Sequence, residues 1–300
     1  MTRRNTPRVS FIGFGEAGQA IASGLRDTGI ERIAAWDILF PEAAGARLKS
    51  AGEAIGVRVA PSAGDAVRDS DMIISAVTAA SSLEAARSVA PHLAGNPYYL
   101  DINSVSPGRK QETAALLGER TRYVDIAVVA PIHPDRHRTP LLISGPHAEG
   151  ISPLLRELEM QLTVVGPEVG SAAAIKMIRS VMIKGIEALT LECFLAAARA
   201  GVLEEVTASL KNNYPGLNWV EIADYNLERM ASHGERRAAE MEESAATLRQ
   251  LGLDPLMVDS TVKRQREMGA MGKHEALRQT LKSGRAAMLS AISALAKGRH

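Results

Sequence analysis

The sequence has little cysteine: Cys193 is the single one among 300 residues. One cysteine cannot form an internal disulfide and cannot supply a cysteine-rich metal site. Cys193 lies in an apolar stretch with helical periodicity, where a small buried hydrophobic residue is the ordinary interpretation of a cysteine. Cysteine chemistry is therefore not expected.

The chain also lacks an excess of charge and a long hydrophobic run. Its formal net charge is +1, so no electrostatic argument favours nucleic acid or an anionic membrane as a partner. The apolar run after the basic amino-terminal segment MTRRNTPR is six residues long and contains glycine, which is too short for a signal peptide. No run approaches the roughly 20 residues of a transmembrane helix. These absences predict a soluble cytoplasmic protein.

Short apolar runs alternate with helical patterns in the first half of the chain. Continuous apolar strands that alternate with helices are typical of a mainly parallel sheet covered on both faces. The predicted strands are VSFIGF, RIAAW, VRVA, MIISAV, YYLDI, YVDIAV and PLLIS, and the predicted helices span Glu16–Asp27, 63–68, 83–90, 108–117 and 148–160.

The pattern changes after residue 167, where helical periodicity replaces almost all strand signal. Residues 171–200 contain no proline and one glycine, Gly185, which predicts a single long helix ending before Gly201. Breaks follow at 214–216 and 252–255. The length fits roughly two domains. We therefore predict an α/β domain over residues 1–168 and an all-helical domain over residues 169–300.

A glycine turn follows the first predicted strand. Its context, after an apolar strand and before a helix, is the one that a dinucleotide-binding G-x-G-x-x-G motif requires. The first glycine permits a tight turn, the second lets a pyrophosphate approach the backbone, and the third lets helix and strand pack closely. The helix N-terminus then offers N–H groups to the phosphates. The predicted cofactor-binding residues of this turn are Gly13, Phe14, Gly15, Glu16, Ala17 and Gly18.

Asp37 ends the second predicted strand, nineteen residues after Gly18. This is close to the spacing of the acid that binds the adenosine ribose. A carboxylate there hydrogen-bonds the 2′-hydroxyl and repels a 2′-phosphate, so we expect NAD as cofactor and NADP less. The alternative is a glycine turn in a cofactor-free sheet, with Asp37 as a loop residue.

Three further segments, together with the glycine turn, resemble the motifs of the β-hydroxyacid dehydrogenases, the family that includes 6-phosphogluconate dehydrogenase. Residues 101–107 (DINSVSP) resemble the family's D-x-S-T-x-x-P segment, and residues 123–127 (YVDIA) resemble the start of its substrate loop. Residues 170–180 (GSAAAIKMIRS) resemble its lysine helix. The resemblance covers the first domain and the start of the second, whose remainder resembles a phosphogluconate-dehydrogenase-like branch.

The resemblance implies an α/β Rossmann-type doubly wound N-terminal domain and an all-α C-terminal domain for substrate binding and dimerisation. It implies an NAD-dependent oxidoreductase that transfers a hydride between the cofactor and a small anionic hydroxy acid, in a homodimer. Lys176 would be the general acid/base of that reaction. Val77, Thr78 and Asn103 would border the nicotinamide, and Ser104 and Asp125 would contact substrate.

The helix pattern around Lys176 by itself allows two interpretations of this lysine. Lys176 shares a predicted helix face with Ala172, Ala173, Arg179 and Ser180, and small residues there would leave room for a ligand. A lysine can exchange a proton with a substrate hydroxyl when its surroundings suit the neutral amine. The alternative is a lysine that extends its charge out of a core helix.

Two departures from the family concern the substrate. Residues 128–131 (VVAP) replace the Ser-Gly-Gly of the family's substrate loop, and Arg179-Ser180 replaces the paired asparagines after the lysine. A guanidinium can bind carboxylate or phosphate through two parallel hydrogen bonds. Arg179 is therefore a predicted substrate contact.

The loop at residues 131–140 (PIHPDRHRTP) is rich in basic residues. We expect Arg136 and Arg138 to bind the substrate anion, with a solvated turn as the alternative. His133 and His137 have a helical metal spacing, but Pro134 argues against a helix, so no metal is expected. His233, at a position where family members often carry a second lysine, is interpreted as part of a solvated helix turn.

Two other functions remain open. One is an NADPH-dependent reductase of an aldehyde or imine; imine reductases share this architecture, but many have an aspartate or tyrosine where Lys176 stands. The other is a dinucleotide-binding sensor without turnover, an alternative that rests on the departures from the family's substrate motifs at Val129 and Arg179. A comparison of turnover with NADH and with NADPH separates the dehydrogenase from the reductase, and the absence of any turnover would identify the sensor.

Overall fold

A computed structural model describes residues 6–297. Residues 1–5, part of the basic amino-terminal segment, and residues 298–300 lie outside the described residues. The strands are β1 (Val9–Ile12), β2 (Ile33–Trp36), β3 (Arg58–Val59), β4 (Met72–Ser75), β5 (Tyr98–Asp101), β6 (Arg122–Val128), β7 (Leu141–Ser144) and β8 (Leu162–Val164). The α-helices are α1 (Glu16–Asp27), α2 (Ala46–Ala54), α3 (Ala63–Val67), α4 (Ser82–Val89), α5 (Pro107–Leu117), α6 (Ala148–Glu157), α7 (Ser171–Ala200), α8 (Leu203–Asn213), α9 (Trp219–Gln250), α10 (Leu256–Met271), α11 (Glu275–Arg278) and α12 (Arg285–Lys297).

The strands form one sheet in the order β3-β2-β1-β4-β5-β6-β7-β8. Neighbouring strands from β3 to β6 are parallel, whereas β7 is antiparallel to β6 and β8 is parallel to β7. The prediction of a mainly parallel sheet is confirmed. The strand order reverses between β1 and β4, and ligands of open α/β sheets bind at the carboxyl ends of the strands at such a point.

Helices cover both faces of the sheet, as the continuous apolar strands require. On one face, α1 and α6 bury Ile21, Leu25, Ile151 and Leu155 in the same core cluster as Phe11. A second cluster on the other face contains side chains of α3, α4 and α5, of which Val67, Val89 and Leu117 are buried. This confirms the doubly wound α/β domain.

The second half of the chain is helical. Within the described residues no strand follows Val164, α7 is a single helix, and the chain breaks predicted at 214–216 and 252–255 separate α8, α9 and α10. Helices α9 and α10 pack with their backbones in contact, because a Cβ on Gly234 would collide with the carbonyl oxygen of Gln265. No described helix is both long and apolar enough to cross a membrane.

Two elements were not predicted. Of the residues of α2 only Gly52 is buried, so this helix has no apolar stripe to reveal it. Strand β8 has three residues, none fully buried, at the edge of the sheet. Neither element contributes a fully buried apolar side chain to the core, which is why hydrophobic periodicity does not detect them.

The chain divides into two compact units, Met1–Lys176 and Met177–His300. The predicted division lies earlier, between residues 168 and 169. The difference arises at the start of α7, where the N–H of Ala172 donates to Ser144 Oγ and the N–H of Ala173 donates to Asp125 Oδ2, each at 3.0 Å. These bonds fasten the first turns of the helix to the sheet, so Lys176 belongs to the first unit.

Candidate active site

The glycine turn leaves open space at its second glycine. Gly13 has φ +90°, and a Cβ there would collide with the carbonyl oxygen of Ala76; a Cβ on Gly18 would lie 2.6 Å from the carbonyl oxygen of Gly13. A Cβ on Gly15, in contrast, would meet no described atom within 4 Å beyond its chain neighbours. Two glycines close the turn on itself and on β4, and the third exposes bare backbone. This arrangement fits a phosphate group held by backbone N–H groups at the start of α1.

The other residues of the turn support it in different ways. The ring of Phe14 is fully buried and packs edge-on against Phe11 and Phe40, so only its backbone remains at the turn. Glu16 is exposed and Ala17 is half-buried in the first turn of α1. Their predicted contacts with a cofactor stay predictions.

The carboxylate of Asp37 lies directly at the glycine turn. Its Oδ2 accepts the N–H of Phe14 at 2.7 Å, and its Oδ1 accepts the N–H of Leu39 at 2.9 Å. The side chain therefore connects the end of β2 to the turn between β1 and α1. It holds a negative charge where the resemblance expects the ribose of the cofactor.

The ends of β4 and β5 meet beside the same turn. The N–H of Val77 donates to Asn103 Oδ1 at 2.7 Å, and Asn103 Nδ2 donates to Ser75 Oγ at 2.9 Å. A Cβ on Gly13 would lie 2.6 Å from Val77 Cγ1. Gly13, Val77 and Asn103 are thus brought together, although the amide of Asn103 is used inside the protein. Thr78 is exposed, and its hydroxyl donates to Ser81 Oγ at 3.0 Å.

Lys176 and Ser104 form a direct pair in the first unit. Lys176 Nζ donates to Ser104 Oγ at 2.5 Å, and both side chains are half-buried. Ala172 and Ala173, one turn earlier on α7, are buried against the sheet domain. The lysine is therefore held at the carboxyl end of β5 rather than extended away from a core.

A lysine that was not predicted lies beneath this pair. Lys110, on α5, is fully buried; its Nζ donates to the carbonyl oxygen of Asp101 at 2.6 Å and to Asp101 Oδ1 at 3.0 Å. The same ammonium lies 3.3 Å from Asp125 Oδ1. Asp101 and Asp125 are opposite each other in the β5–β6 register. One buried cation thus joins the end of β5 to the middle of β6, where an unpaired buried charge would be costly.

Asp125 has a structural role in this fold, and its predicted contact with substrate stays a prediction. Its side chain is fully buried. Its Oδ2 accepts the N–H of Ala173 and the hydroxyl of Ser144, each at 3.0 Å. A carboxylate at a helix N-terminus is stabilised by the partial positive charge there. Asp125 therefore sets the position of α7, and through it that of Lys176.

Asp101 has the same role for the β5 end. Its Oδ1 accepts the N–H of Asn103 at 2.9 Å, and its Oδ2 accepts the hydroxyl of Tyr123 at 2.8 Å. Burial, and then the negative charges of Asp101 and Asp125, raise the pKa of Tyr123 well above its usual value, so the phenol stays a donor. Asn103, which precedes Ser104, is thereby hydrogen-bonded to the same carboxylate that binds Lys110.

One sequence signal could have revealed this network. Lys110, Thr113 and Leu117 are the buried residues of α5 and share one face of the helix. A lysine on an apolar face, close to two strands that carry aspartate, requires a buried anion as partner.

The basic loop at 131–140 packs against α1 instead of presenting free cations. Arg136 pairs with Asp27 at 2.6 Å and donates to Ser23 Oγ at 3.1 Å, and Arg138 lies 3.7 Å from Glu159. An anionic substrate would have to compete with these carboxylates. The structure therefore favours a packing role for Arg136 and Arg138, and their substrate role stays a prediction.

His137, between the two arginines, is 1% exposed. It packs against Gly24 so closely that a Cβ there would collide with the ring, and neither ring nitrogen has a hydrogen-bond partner among the described residues. Burial, and then the charges of Arg138 and Arg136, lower the pKa of His137. The imidazole is thus buried in its neutral form.

Two further residues that the sequence singles out, Arg179 and His233, lie in the second unit. Arg179 is exposed on α7, and its substrate role stays a prediction. His233 is half-buried on α9, where burial and then the charges of Arg229 and Arg236 lower its pKa. No three His, Cys, Asp or Glu side chains of the described part of the chain are grouped to hold a metal ion.

The buried network predicts a large effect of Lys110→Met. Removal of the ammonium leaves two carboxylates buried without their cation, so we expect the free energy of unfolding to fall by about 3–5 kcal/mol. Urea denaturation measures this loss. The matched control is Arg109→Met, which removes the neighbouring guanidinium and its surface pair with Glu112 at 2.8 Å. That change should cost less than about 1 kcal/mol, and equal losses in the two variants would contradict the network.

The buried imidazole predicts a stability change in mild acid. Because the pKa of His137 is lower in the folded state, the unfolded chain binds more protons once the pH falls below the unfolded value of about 6.5. Stability should be complete above that pH and should decrease as the pH falls through the folded pKa. In His137→Leu the slope of unfolding free energy between about pH 7 and 5 should be smaller. His233 accounts for part of the remaining slope, and an unchanged slope would rule out His137 as its source.

Two family descriptions match separate parts of the chain. Residues 8–103 match the family described as NADP oxidoreductase, coenzyme F420-dependent. Residues 197–268 match a domain of unknown function, DUF1932. The first match contains the glycine turn, Asp37, Val77 and Asn103, and the second lies within the helical unit.

Solved structures resemble the whole chain. A conserved hypothetical protein from Sinorhizobium meliloti 1021 is 35% identical, with 96% of each chain covered and a TM-score of 0.77. A conserved protein of unknown function, described as structurally similar to 3-hydroxyacid dehydrogenases, is 31% identical over 88% of this chain and 97% of its own, with a TM-score of 0.70. The 3-hydroxyisobutyrate dehydrogenase of Mycobacterium tuberculosis, solved with L-serine, is 16% identical over 97% of this chain and 99% of its own. Its TM-score of 0.71 shows the shared fold.

The relatives above 30% identity and the sequence motifs indicate the same family. The parallel sheet of the first domain and the helical second domain are those that the sequence resemblance implies, and the fold brings Lys176 and Ser104 into contact. The chain therefore belongs to the β-hydroxyacid dehydrogenase family, as a dinucleotide-dependent oxidoreductase of the 3-hydroxyacid dehydrogenase type.

Proposed function

We propose that this protein transfers a hydride between NAD and a small anionic hydroxy acid, with Lys176 as the general acid/base. The observation that carries the proposal is the 2.5 Å hydrogen bond from Lys176 Nζ to Ser104 Oγ. It lies in the same unit as the glycine turn. An amine near the end of β5 would exchange a proton there with a bound alcohol.

The glycine turn supplies the cofactor side of the proposal. Gly13 and Gly18 shape the turn, Gly15 gives a phosphate access to the backbone, and Asp37 would accept hydrogen bonds from the ribose hydroxyls. When bound, the nicotinamide supplies the site that accepts or returns the hydride. A carboxylate that is already held by two backbone N–H groups keeps its negative charge in place, which disfavours a 2′-phosphate.

Lys176 and Ser104 would divide the work on the substrate. In the oxidation direction, the neutral amine of Lys176 would take the proton of the substrate hydroxyl while an N–H of the same amine donates to Ser104. In the reduction direction, the ammonium would return that proton to the carbonyl oxygen. The hydrogen bond to Ser104 limits the directions that the nitrogen lone pair can take, and such orientation is a large part of general acid–base catalysis.

The anionic part of the substrate needs a donor other than the family's Ser-Gly-Gly loop. Arg179, an exposed residue three positions after Lys176 in α7, is our candidate for this contact. A hydroxy acid with one carboxylate or a phosphorylated one would both suit a guanidinium. The Mycobacterium tuberculosis dehydrogenase suggests 3-hydroxyisobutyrate and L-serine as the first compounds to assay.

The second candidate is an NADPH-dependent reductase of an aldehyde or imine. The family matched by residues 8–103 is described by NADP, which favours this alternative for the cofactor. Lys176 favours the hydroxy-acid reaction, because proton removal from an alcohol requires a base at this position. A sensor without turnover is the third candidate, and turnover in a panel of small hydroxy acids would exclude it.

The role of Lys176 predicts a selective loss in Lys176→Met. Loss of a general acid/base should lower kcat by about 10²–10⁴-fold. The dissociation constant of NADH, measured by fluorescence titration, should stay within about twofold because the glycine turn is intact. Lys211→Met on α8 removes an exposed lysine and should leave both values unchanged. Full turnover in Lys176→Met would overturn the assignment.

The charge of Asp37 predicts cofactor choice. Wild-type protein should bind NADH more tightly than NADPH, and Asp37→Asn should reduce that preference by about 10–100-fold, the weight of a hydrogen bond to a charged group. Asparagine keeps an acceptor for the N–H of Phe14 or Leu39, so the turn should survive. The control is Asp69→Asn, an exposed position with φ +61° that asparagine tolerates. Tighter binding of NADPH by the wild type would instead favour the reductase.

A further inference from the structure

Strand β6 presents different side chains to the two sides of the sheet. Ile126 and Val128 pack with the same core cluster as Phe11, on the side that α1 and α6 cover. Tyr123 packs in the cluster on the other side, and the buried carboxylate of Asp125 meets the start of α7. Successive side chains of a strand point to opposite faces. The odd-numbered residues of β6 therefore point to the side of the sheet on which α7 begins.

Val129 continues this alternation past the end of β6. The antiparallel ladder between β6 and β7 reaches the pair Val128↔Leu141, and the next N–H, that of Val129, donates to the carbonyl oxygen of Pro140 at 3.2 Å. The backbone thus stays paired for one more residue, which places the side chain of Val129 on the same side as Asp125. This side chain is half-buried, so part of its apolar surface remains accessible.

The Lys176–Ser104 pair lies beyond the same strand ends. Asp101 and Asp125 are partners in the parallel register of β5 and β6. Ser104 comes three residues after Asp101, and Val129 comes four residues after Asp125. Helix α7, bound to Asp125 in its first turn, brings Lys176 to Ser104. The amine and Val129 therefore both lie past the carboxyl ends of β5 and β6, on the side from which α7 approaches.

The backbone next to Val129 offers few hydrogen-bond donors. The N–H of Val129 is already used, and Pro131 has none. The hydroxyl of Thr139 donates to the carbonyl oxygen of Ile132 at 3.2 Å, which fastens the two ends of the loop to each other. Of residues 129–131, Ala130 alone keeps an N–H with no partner in the described part of the chain. One neutral donor does not supply the paired, charge-assisted contact that holds a carboxylate well.

We propose that Val129 is a specificity-determining residue, whose side chain contacts an alkyl branch of the substrate on the carbinol carbon or on the carbon next to it. The inference rests on the proposed role of Lys176, because that role places the reacting oxygen at the amine. It narrows the substrate class to branched hydroxy acids whose acid group points away from residues 129–131.

Three small acids test this preference. 3-Hydroxypropanoate has no branch, 3-hydroxybutanoate has a methyl group on the carbinol carbon, and 3-hydroxyisobutyrate has one on the next carbon. With NAD and wild-type protein, kcat/KM for at least one enantiomer of a branched acid should exceed that for 3-hydroxypropanoate by about fourfold or more. This is the effect of burying one methylene group.

Two variants of Val129 assign the preference to this side chain. Val129→Thr keeps the shape but replaces a methyl group by a hydroxyl, so the preference for the branched acid should fall below about twofold, through a higher KM. Val129→Leu fills the space of the branch and should lower kcat/KM for the branched acid about tenfold or more, with a smaller effect on 3-hydroxypropanoate. The matched control is Val59→Thr, a half-buried valine on β3 at the other end of the sheet, which should keep the wild-type preference.

Failure of this proposal can be told apart from failure of the proposed function. If no hydroxy acid is turned over with NAD, the proposed function fails, and propanal is compared with 2-methylpropanal in reduction by NADPH. Without turnover of either kind, the three acids are compared by thermal stabilisation of the protein–NADH complex. In each assay, a preference for the branched compound that Val129→Thr removes supports the role of Val129. An equal response to branched and unbranched compounds, or a preference that Val129→Thr leaves unchanged, overturns it.

Discussion

The ammonium of Lys110, buried between the carboxylates of Asp101 and Asp125, is the interaction on which the candidate active site depends. Each carboxylate has a second task. Asp101 accepts the N–H of Asn103, which precedes Ser104, and Asp125 accepts the N–H of Ala173, one helical turn before Lys176. Each member of the Lys176–Ser104 pair therefore lies within three residues of a backbone N–H group that is hydrogen-bonded to one of these carboxylates, and the two carboxylates share one cation. A shift of either strand would change the distance between the amine and the hydroxyl.

This arrangement explains why the domain keeps charges in its core. Apolar residues of similar volume can replace a buried ion pair at little or no cost in stability. They could not accept the N–H groups at the start of α7 or after β5, and those groups would lose their partners. The buried ions are thus better understood as a device for positioning than as a source of stability. The same distinction applies to Asn103, whose amide joins β4 to β5 beside the glycine turn.

Local sequence predicted the parts of this site that depend on local geometry. The glycine turn, Asp37, the mainly parallel sheet and the single helix α7 follow from spacing and apolar periodicity, and the family resemblance supplied Lys176 and Ser104. What the sequence could not supply was which side chains meet across the sheet. Asp125 reads as a substrate contact until the register of β5, β6 and β7 surrounds it with Lys110, Ser144 and Ala173. The basic loop at 131–140 reads as an anion site until the fold places Asp27 and Glu159 beside its arginines.

Helix α7 shows the same limit in another form, because three environments share its thirty residues. Its first turns are bound to the sheet, Lys184 and Glu187 form ion pairs with α9, and Met182 and Leu189 are exposed. Cys193, expected from the sequence to be buried, is exposed as well. No single hydrophobic face of α7 could therefore be read from the sequence.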